Sequence, residues 1–358
     1  MKKIYIGLLS LFLNACHMPA SNVLEGPGGR NAYNIEIQKT NSEEMLLNLV
    51  RLRYYDTPLF LQVSSVTSSF TFKNSASALF SFPGFNKTNP TILGGETLWQ
   101  NQPTIQYQPL QGQEFANQLM KPLDVSTIQQ VIYAGWDVYR VFRLAVQNFL
   151  EYHNNPKEKE LIMEKNPRYK NFIEVIILMN KLQENGDLQI GVLNSKSNEN
   201  GCALKSIQFA FNADNEDSKK LAELLNITTL DNDMYVLNVT QGFDKKGRVG
   251  ILPRSILSCM NNLSHNVIIP DKDIEDSIAI DLSLDKSSNS QNIMSIYSSS
   301  IKPKNPYAAI KYRDLWFYIK DCDLSSKRTF MLLLELYNLQ SAKVIDTGPV
   351  LTLPVGVG

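Results

Sequence analysis

Cys16 ends a short apolar run and follows the small residue Ala15, which puts a nucleophilic thiol at a junction where a leader can be cut. Other groups able to do covalent or acid–base work are few. Beyond the N-terminal segment the histidines are His153, in Glu151-Tyr152-His153-Asn154 at a predicted helix end, and His265, in a turn after Leu263-Ser264. A Ser–His–Asp hydrolase needs a base held against its nucleophile. No Gly-x-Ser-x-Gly elbow, Walker loop or His-Glu-x-x-His pattern is present. Two histidines this far apart argue against zinc catalysis, so neither a metal nor another cofactor is expected.

A carboxylate-based glycosidase needs no motif, only two acids roughly 5–9.5 Å apart in a cleft. Glu44 and Glu114, each in an otherwise apolar segment, are the acids to inspect. Glu44, Asn48 and Arg51 also fall at i, i+4 and i+7 on one helical face, which suits a structural polar network, and that reading is preferred. Arg51, Arg53, Tyr54 and Tyr55, with Arg313, Lys327 and Arg328 near the other end, can meet an anionic surface or glycan; charges on helix edges are more often a solvated rim. Phe80, Phe82, Phe85 and Trp99 lie in a Gly- and Asn-rich stretch and are the better interaction candidates, because aromatics anchor interfaces; folding back to cover the core is an equal alternative.

The start of the chain says where such contacts would be made. Met1-Lys2-Lys3 is cationic, and Ile4 to Leu13 is an apolar run of about ten residues, short of the roughly 20 needed to span a bilayer. Residues 1–15 read as a signal peptide. Leu13-Asn14-Ala15-Cys16 resembles the lipobox of bacterial lipoproteins, with Asn14 departing from the small or hydroxylated residue usual at that position. The resemblance implies a diacylglycerol on the Cys16 thiol, cleavage before it and acylation, for instance by palmitate, of the new amine. His17, rather than an inner-membrane-retaining aspartate, follows, which implies an outer-membrane protein facing the periplasm.

Composition fits a folded body: 43% hydrophobic and 20% charged residues are enough for a core. Lys and Arg number 35, as do Asp and Glu; loss of Lys2 and Lys3 leaves 33 basic residues against 35 acidic. A chain this close to neutral lacks the clustered cations that nucleic acid requires. After Cys16, three cysteines remain: Cys202, Cys259 and Cys322. Their spacing matches no zinc pattern, and either one disulfide with a spare thiol or three buried thiols is expected.

Residues 16–38, rich in Gly and Pro, read as a flexible tether, followed by one α+β domain over 39–358. Its helical part covers about 39–185 and its sheet-containing part about 186–358. Amphipathic helices should pack with a small mixed or antiparallel sheet. Asn41 or Ser42 can cap a helix that stops before Thr57-Pro58. A strand or hairpin is expected over 59–72, a long irregular loop or hairpin over 73–102, and a strand over 103–110. Helices are expected at 113–120, from a Ser126-x-x-Gln129 capping box toward Ala134, from Asp137 to about Tyr152, at 171–184 with Gly186 beyond its end, at 218–226 and over 253–263. Strands are expected at 187–193, 203–211, 233–240, 267–269, 308–319 and 350–353, with a helix from Ser325 or Ser326 to about Leu339. Residues 271–305 read as an inserted linker.

Three stretches resemble a family of uncharacterised bacterial envelope proteins: Asn41 to Tyr54 with Asp56-Thr57-Pro58; Pro103 to Phe115, continuing to Gly135-Trp136; and Lys311 to Ile319 with Asp323 to Phe330 and Val350 to Gly356. The resemblance carries no activity and no catalytic residue. The expectation is therefore a non-enzymatic, lipid-anchored adaptor within an envelope assembly, such as a secretion-system outer-membrane complex. Its partners would be the membrane and other envelope proteins. The alternative is a cell-wall glycan-binding or glycan-hydrolysing protein.

Overall fold

The computed structural model describes residues 29–78, 93–110, 112–154, 167–194, 205–228, 230–243, 250–280 and 292–341. The architecture is α+β, with antiparallel strand pairing in every sheet. The chain divides into two compact units. The first comprises residues 1–41, 60–110 and 346–358; the second comprises residues 42–59 and 111–345.

Helix α1 (Arg30–Arg53) supplies residues to both. It starts well before the expected cap at Asn41 or Ser42, so residues 30–38 are helical rather than tether. Nothing in Ala32 to Lys39 breaks a helix, since the glycines and proline all lie before Arg30. The other described residues of the first unit form one long ribbon, β1 (Phe60–Ala78) against β2 (Leu93–Leu110). Residues 73–78 and 93–102, expected to be a loop or hairpin, continue these strands; Phe80, Phe82 and Phe85 lie outside the described residues.

In the second unit, α2 (Gln113–Met120) precedes α3 (Val125–Tyr133). The α3 cap is Asp124, whose carboxylate accepts from the Ser126 backbone N–H and hydroxyl at 3.0 and 2.8 Å, not the Ser126–Gln129 box. A carboxylate at the positive end of the helix is the better acceptor. Helix α4 (Val138–Ala145), capped by Asp137, passes directly into β3 (Val146–Phe149) and β4 (Tyr152–His153), so the helix expected to reach Tyr152 stops seven residues early. Next come α5 (Pro167–Asn185), β5 (Leu188–Asn194), β6 (Lys205–Asn212), α6 (Glu216–Leu224), β7 (Leu230–Asp231) and β8 (Met234–Thr240). Strand β9 (Ile251–Pro253) takes the proline expected inside a helix; α7 (Ile256–Ser264) begins after Ser255, which accepts from Ser258 N–H.

The stretch expected to be a linker holds α8 (Asp271–Glu275), buried Ile293, Met294 and Ile296, and β10 (Tyr297–Ser299); residues 281–291 lie outside the described residues. The apolar residues Ile293, Met294 and Ile296 pack into the core ahead of β10, and Val267 meets Ile296 in a parallel bridge. Strands β11 (Pro306–Tyr312) and β12 (Leu315–Lys320) form a hairpin where one strand was expected. Its turn residues Arg313 and Asp314 both have positive φ, 47° and 63°, the backbone of a twist-matched two-residue turn. Helix α9 (Leu324–Ser341) closes the unit, with Asp323 rather than a serine accepting from Ser326 N–H at 3.0 Å. The expected strand at 350–353 lies outside the described residues.

Sheets run β4-β3-β9, β5-β6-β8-β7 and β10-β12-β11. Phe142, Phe149 and Phe209 join α4, β3 and β6 in a buried aromatic triad, with centroids 5.5–6.1 Å apart and edge-on rings. Each such contact adds about 0.5–1.5 kcal/mol beyond area burial. Asn48, fully buried, donates to Leu59 O at 2.7 Å and accepts from Leu59 N–H at 3.0 Å, mimicking a strand partner for the segment leaving α1. Asn48→Ala strips both groups of their partner and is expected to lower stability by about 1–2 kcal/mol. Urea unfolding measures it, and an unchanged midpoint would show the clasp to be idle.

Candidate functional site

Four arginines of the second unit are buried: Arg53, Arg140, Arg143 and Arg254. They turn donors on neutral oxygens, and Arg140 Nε also lies 3.5 Å from the Asp137 carboxylate. Arg254 donates to Arg143 O and Leu144 O at 3.0 Å and to Asn154 O at 2.5 Å, and burial draws its guanidinium down to about 10. Asn154 meets the same helix end, donating to Phe142 O, Arg143 O and Val146 O. These two side chains satisfy the carbonyls that α4 leaves free when it becomes β3, which is why the helix stops there. Arg143 reaches the Tyr169 hydroxyl, and Arg140 reaches Ser325 O at 2.9 Å and the Thr329 hydroxyl. This is framework, with each guanidinium tying one element to the next.

Two members of the expected network of Glu44, Asn48 and Arg51 come together. Arg51 Nη1 lies 3.4 Å from Asn48 Oδ1, while Glu44 stands near Tyr337 on α9, whose hydroxyl is raised by burial and then by that carboxylate. Glu114 is exposed in the first turn of α2.

The basic and aromatic residues at the two ends of the chain do meet. Arg53 is buried and donates to Val267 O and Ile280 O; Tyr54 donates to Asp273 Oδ2 at 2.5 Å. Asp56 accepts from the Tyr312 hydroxyl and from Arg313 Nη2 at 3.0 Å, and Arg313 lies 5.0 Å from the Tyr54 ring centre. Tyr55 is exposed, Lys327 pairs with Asp321 and Arg328 with Asp137. The Tyr312 hydroxyl, then Arg313, holds the Asp56 carboxyl below its ordinary value. A depressed carboxylate contributes stability above its unfolded pKa of about 3.9 and loses it as pH falls through the folded value. Asp56→Asn should therefore flatten the acid limb of a pH–stability curve without changing the plateau slope near neutrality. Parallel acid limbs would show that the pair is fully screened.

Sequence reasoning missed a cleft of about 600 Å³ lined by residues 150–153, Arg168, 224–226, 237–240 and Gly250. His153 lies on β4, not at a helix end; its Nδ1 meets the Asn148 amide and its Nε2 stands 3.4 Å from Arg168 Nη1. A guanidinium only donates, so Nε2 is the acceptor there. Tyr152 donates to Leu224 O at 2.6 Å, and its hydroxyl is raised by burial and then by Glu151. Gly250 borders the cleft because a Cβ there would sit 1.9 Å from Thr240 O. Among the lining residues Glu151 is the one carboxylate, and neither Glu44 nor Glu114 is among them. His265 ends α7 in a turn, as expected.

Cys259 is buried with its thiol pushed up to about 12, and Cys322 is exposed; both are free, whereas three buried thiols or one disulfide had been expected. Cys16 and Cys202 lie outside the described residues, and no three-residue metal-ligating group occurs among the described ones.

Trp99 is on β2, opposite Phe72 in a register that runs from Phe60↔Leu110 to Ala78↔Leu93 with one shift between Val63 and Ser65. Tyr107, on the same strand, is exposed. The two strands pair with each other and with no further described strand. No protein-family model, curated protein or solved structure matches this chain.

Proposed function

We infer that this chain is a lipid-anchored structural subunit of a bacterial outer-membrane assembly, facing the periplasm and joining its partners through the β1–β2 ribbon. The observation that carries the reading is the ribbon itself. A two-stranded sheet this long is at best marginally stable alone in water, and no further described strand pairs with the outer edge of either strand. Proteins normally blunt such edges, and a chain that keeps them has a use for them. The lipobox at Cys16 and the resemblance to envelope proteins support the location. A photo-crosslinking residue at exposed Tyr107 should trap adducts above monomer mass in the membrane fraction of intact cells. Monomer alone at that position, with a detergent-solubilised mass of one chain, removes the reading.

The cleft favours a second reading, glycan binding. Its lining mixes Asn226, Asn238, Thr240 and Arg168 with Leu150, Leu224 and Leu237, and such a mix of hydrogen-bonding and apolar surface suits a sugar ring. Purified peptidoglycan should then retain the protein and release it on Arg168→Ala. Fragment release lost in Glu44→Gln or Glu114→Gln would instead favour hydrolysis.

A further inference from the structure

We propose that β1–β2 ribbons from several copies of this chain close into one transmembrane β-barrel, each copy contributing two adjacent strands. The inference rests on the envelope-subunit reading and goes beyond it by naming both the partner, further copies of the same chain, and the medium, the outer-membrane bilayer.

Register parity carries the argument. Successive residues of a strand take opposite faces, so alternate rows of the ladder share one face. Past the register shift, one face takes the rows from Val66↔Ile105 to Ala78↔Leu93, and the other takes the rows from Ser65↔Gln106 to Ser77↔Gly94. Of the fourteen residues on the first face, nine are Val, Ile, Leu, Phe, Trp, Ala or Pro, including Phe70, Phe72 and Trp99, and none is charged. Of the fourteen on the second, only Leu98 is of that kind; the rest are Ser, Thr, Gln and Gly with Lys73 and Glu96. A ribbon in water needs no uncharged apolar face along its whole length. A barrel stave does, because one face meets lipid and the other a wet lumen.

The dimensions agree. The thirteen rows from Val66 to Ala78 rise about 3.3 Å each, and a tilt of about 40° turns that length into a height of about 33 Å, against a hydrocarbon core of about 30 Å. No helix among the described residues is long and apolar enough to cross a membrane. Backbone in lipid must be fully paired, which strands achieve only in a closed barrel. One hairpin cannot close. Identical hairpins set edge to edge can, and two strands per copy make the strand count even, as single-chain barrels have it. Eight strands, the usual minimum, already need four copies. Pro103, on the lipid-facing set, lacks one donor and leaves one gap per copy in the ladder.

The test uses the full-length lipidated chain with Cys202 and Cys322 changed to Ser, carrying single cysteines along residues 69–74. In isolated outer membranes a membrane-impermeant maleimide should label positions 69, 71 and 73 at least tenfold faster than 70, 72 and 74. In detergent-free vesicles of phosphatidylethanolamine and phosphatidylglycerol, the purified oligomer should release a small entrapped dye. Phe72→Arg should abolish release, whereas Thr71→Arg should keep it and shift ion selectivity toward anions. Uniform labelling across all six positions overturns the barrel. If the Tyr107 crosslinks persist in that case, the ribbon joins copies in water and the envelope-subunit reading stands; if they also vanish, both fall.

Discussion

Arg254→Lys is expected to destabilise the protein more than Arg254→Met, by about 4 kcal/mol against about 2 kcal/mol. The guanidinium serves three carbonyls from one plane, at 2.5–3.0 Å. Its lowered pKa means that burial penalises the charge by more than the surrounding groups offset. Methionine abandons both. Arg143 O keeps Asn154 Nδ2 and Leu144 O keeps the Cys259 thiol, so Asn154 O is the group left poorest. Lysine keeps the buried charge in a more strongly hydrated form and, lacking a planar fork, cannot serve all three oxygens at once. Urea unfolding followed by circular dichroism ranks the two. Lysine more stable than methionine would mean that charge, not fork geometry, is what the site needs.

That arginine also marks the limit of what residue patterns can reveal. Helix α4 was expected to reach Tyr152 because Val138, Val141, Phe142, Ala145 and Phe149 recur at helical spacing, and all five are indeed buried. The period is real up to Ala145. Beyond it Val146 and Phe149 bury equally well as strand residues against β9, and the groups that cap the helix come from Asn154 and from Arg254, over a hundred residues away. A local window holds no trace of Arg254. Where signals are local they were legible: α5 ends at Gly186 with φ +80°, and β6 buries alternate residues as its sequence suggests. The β11–β12 turn was not, because Arg313-Asp314 carries neither the glycine nor the asparagine that usually marks positive φ.

The same contrast divides the sites. Asn48 and Arg51 were readable because i and i+3 on a helix are neighbours, while Leu59, the partner that makes Asn48 matter, was not. The cleft draws its lining from five separate stretches, none of which carries a motif. The ribbon shows the reverse. Its amphipathic parity is written in the sequence, but it becomes visible only when the bulge between Val63 and Ser65 is known, since a one-residue shift exchanges the faces.

On the lipid-anchor proposal, delivery of that ribbon depends on position 16, and Cys16→Ser is expected to remove all incorporated radiolabelled palmitate and leave the leader attached. A hydroxyl in place of the thiol cannot take the diacylglycerol, and the cut before residue 16 follows that transfer. The energetic consequence is large. Each buried methylene contributes about 0.8 kcal/mol, and one acyl chain binds a bilayer only marginally while two or more hold it firmly. The uncut variant instead keeps a leader run of about ten apolar residues, half a spanning length, and should remain with the inner membrane rather than sort outward. Density-gradient separation of the two membranes, with the intact mass of each form, measures both consequences. A parent chain without label, or one whose mature amino terminus is any residue but Cys16, would detach the body from the bilayer. Without that tether, copies would meet in three dimensions rather than in a plane, losing the raised effective concentration that lets weak ribbon edges find each other.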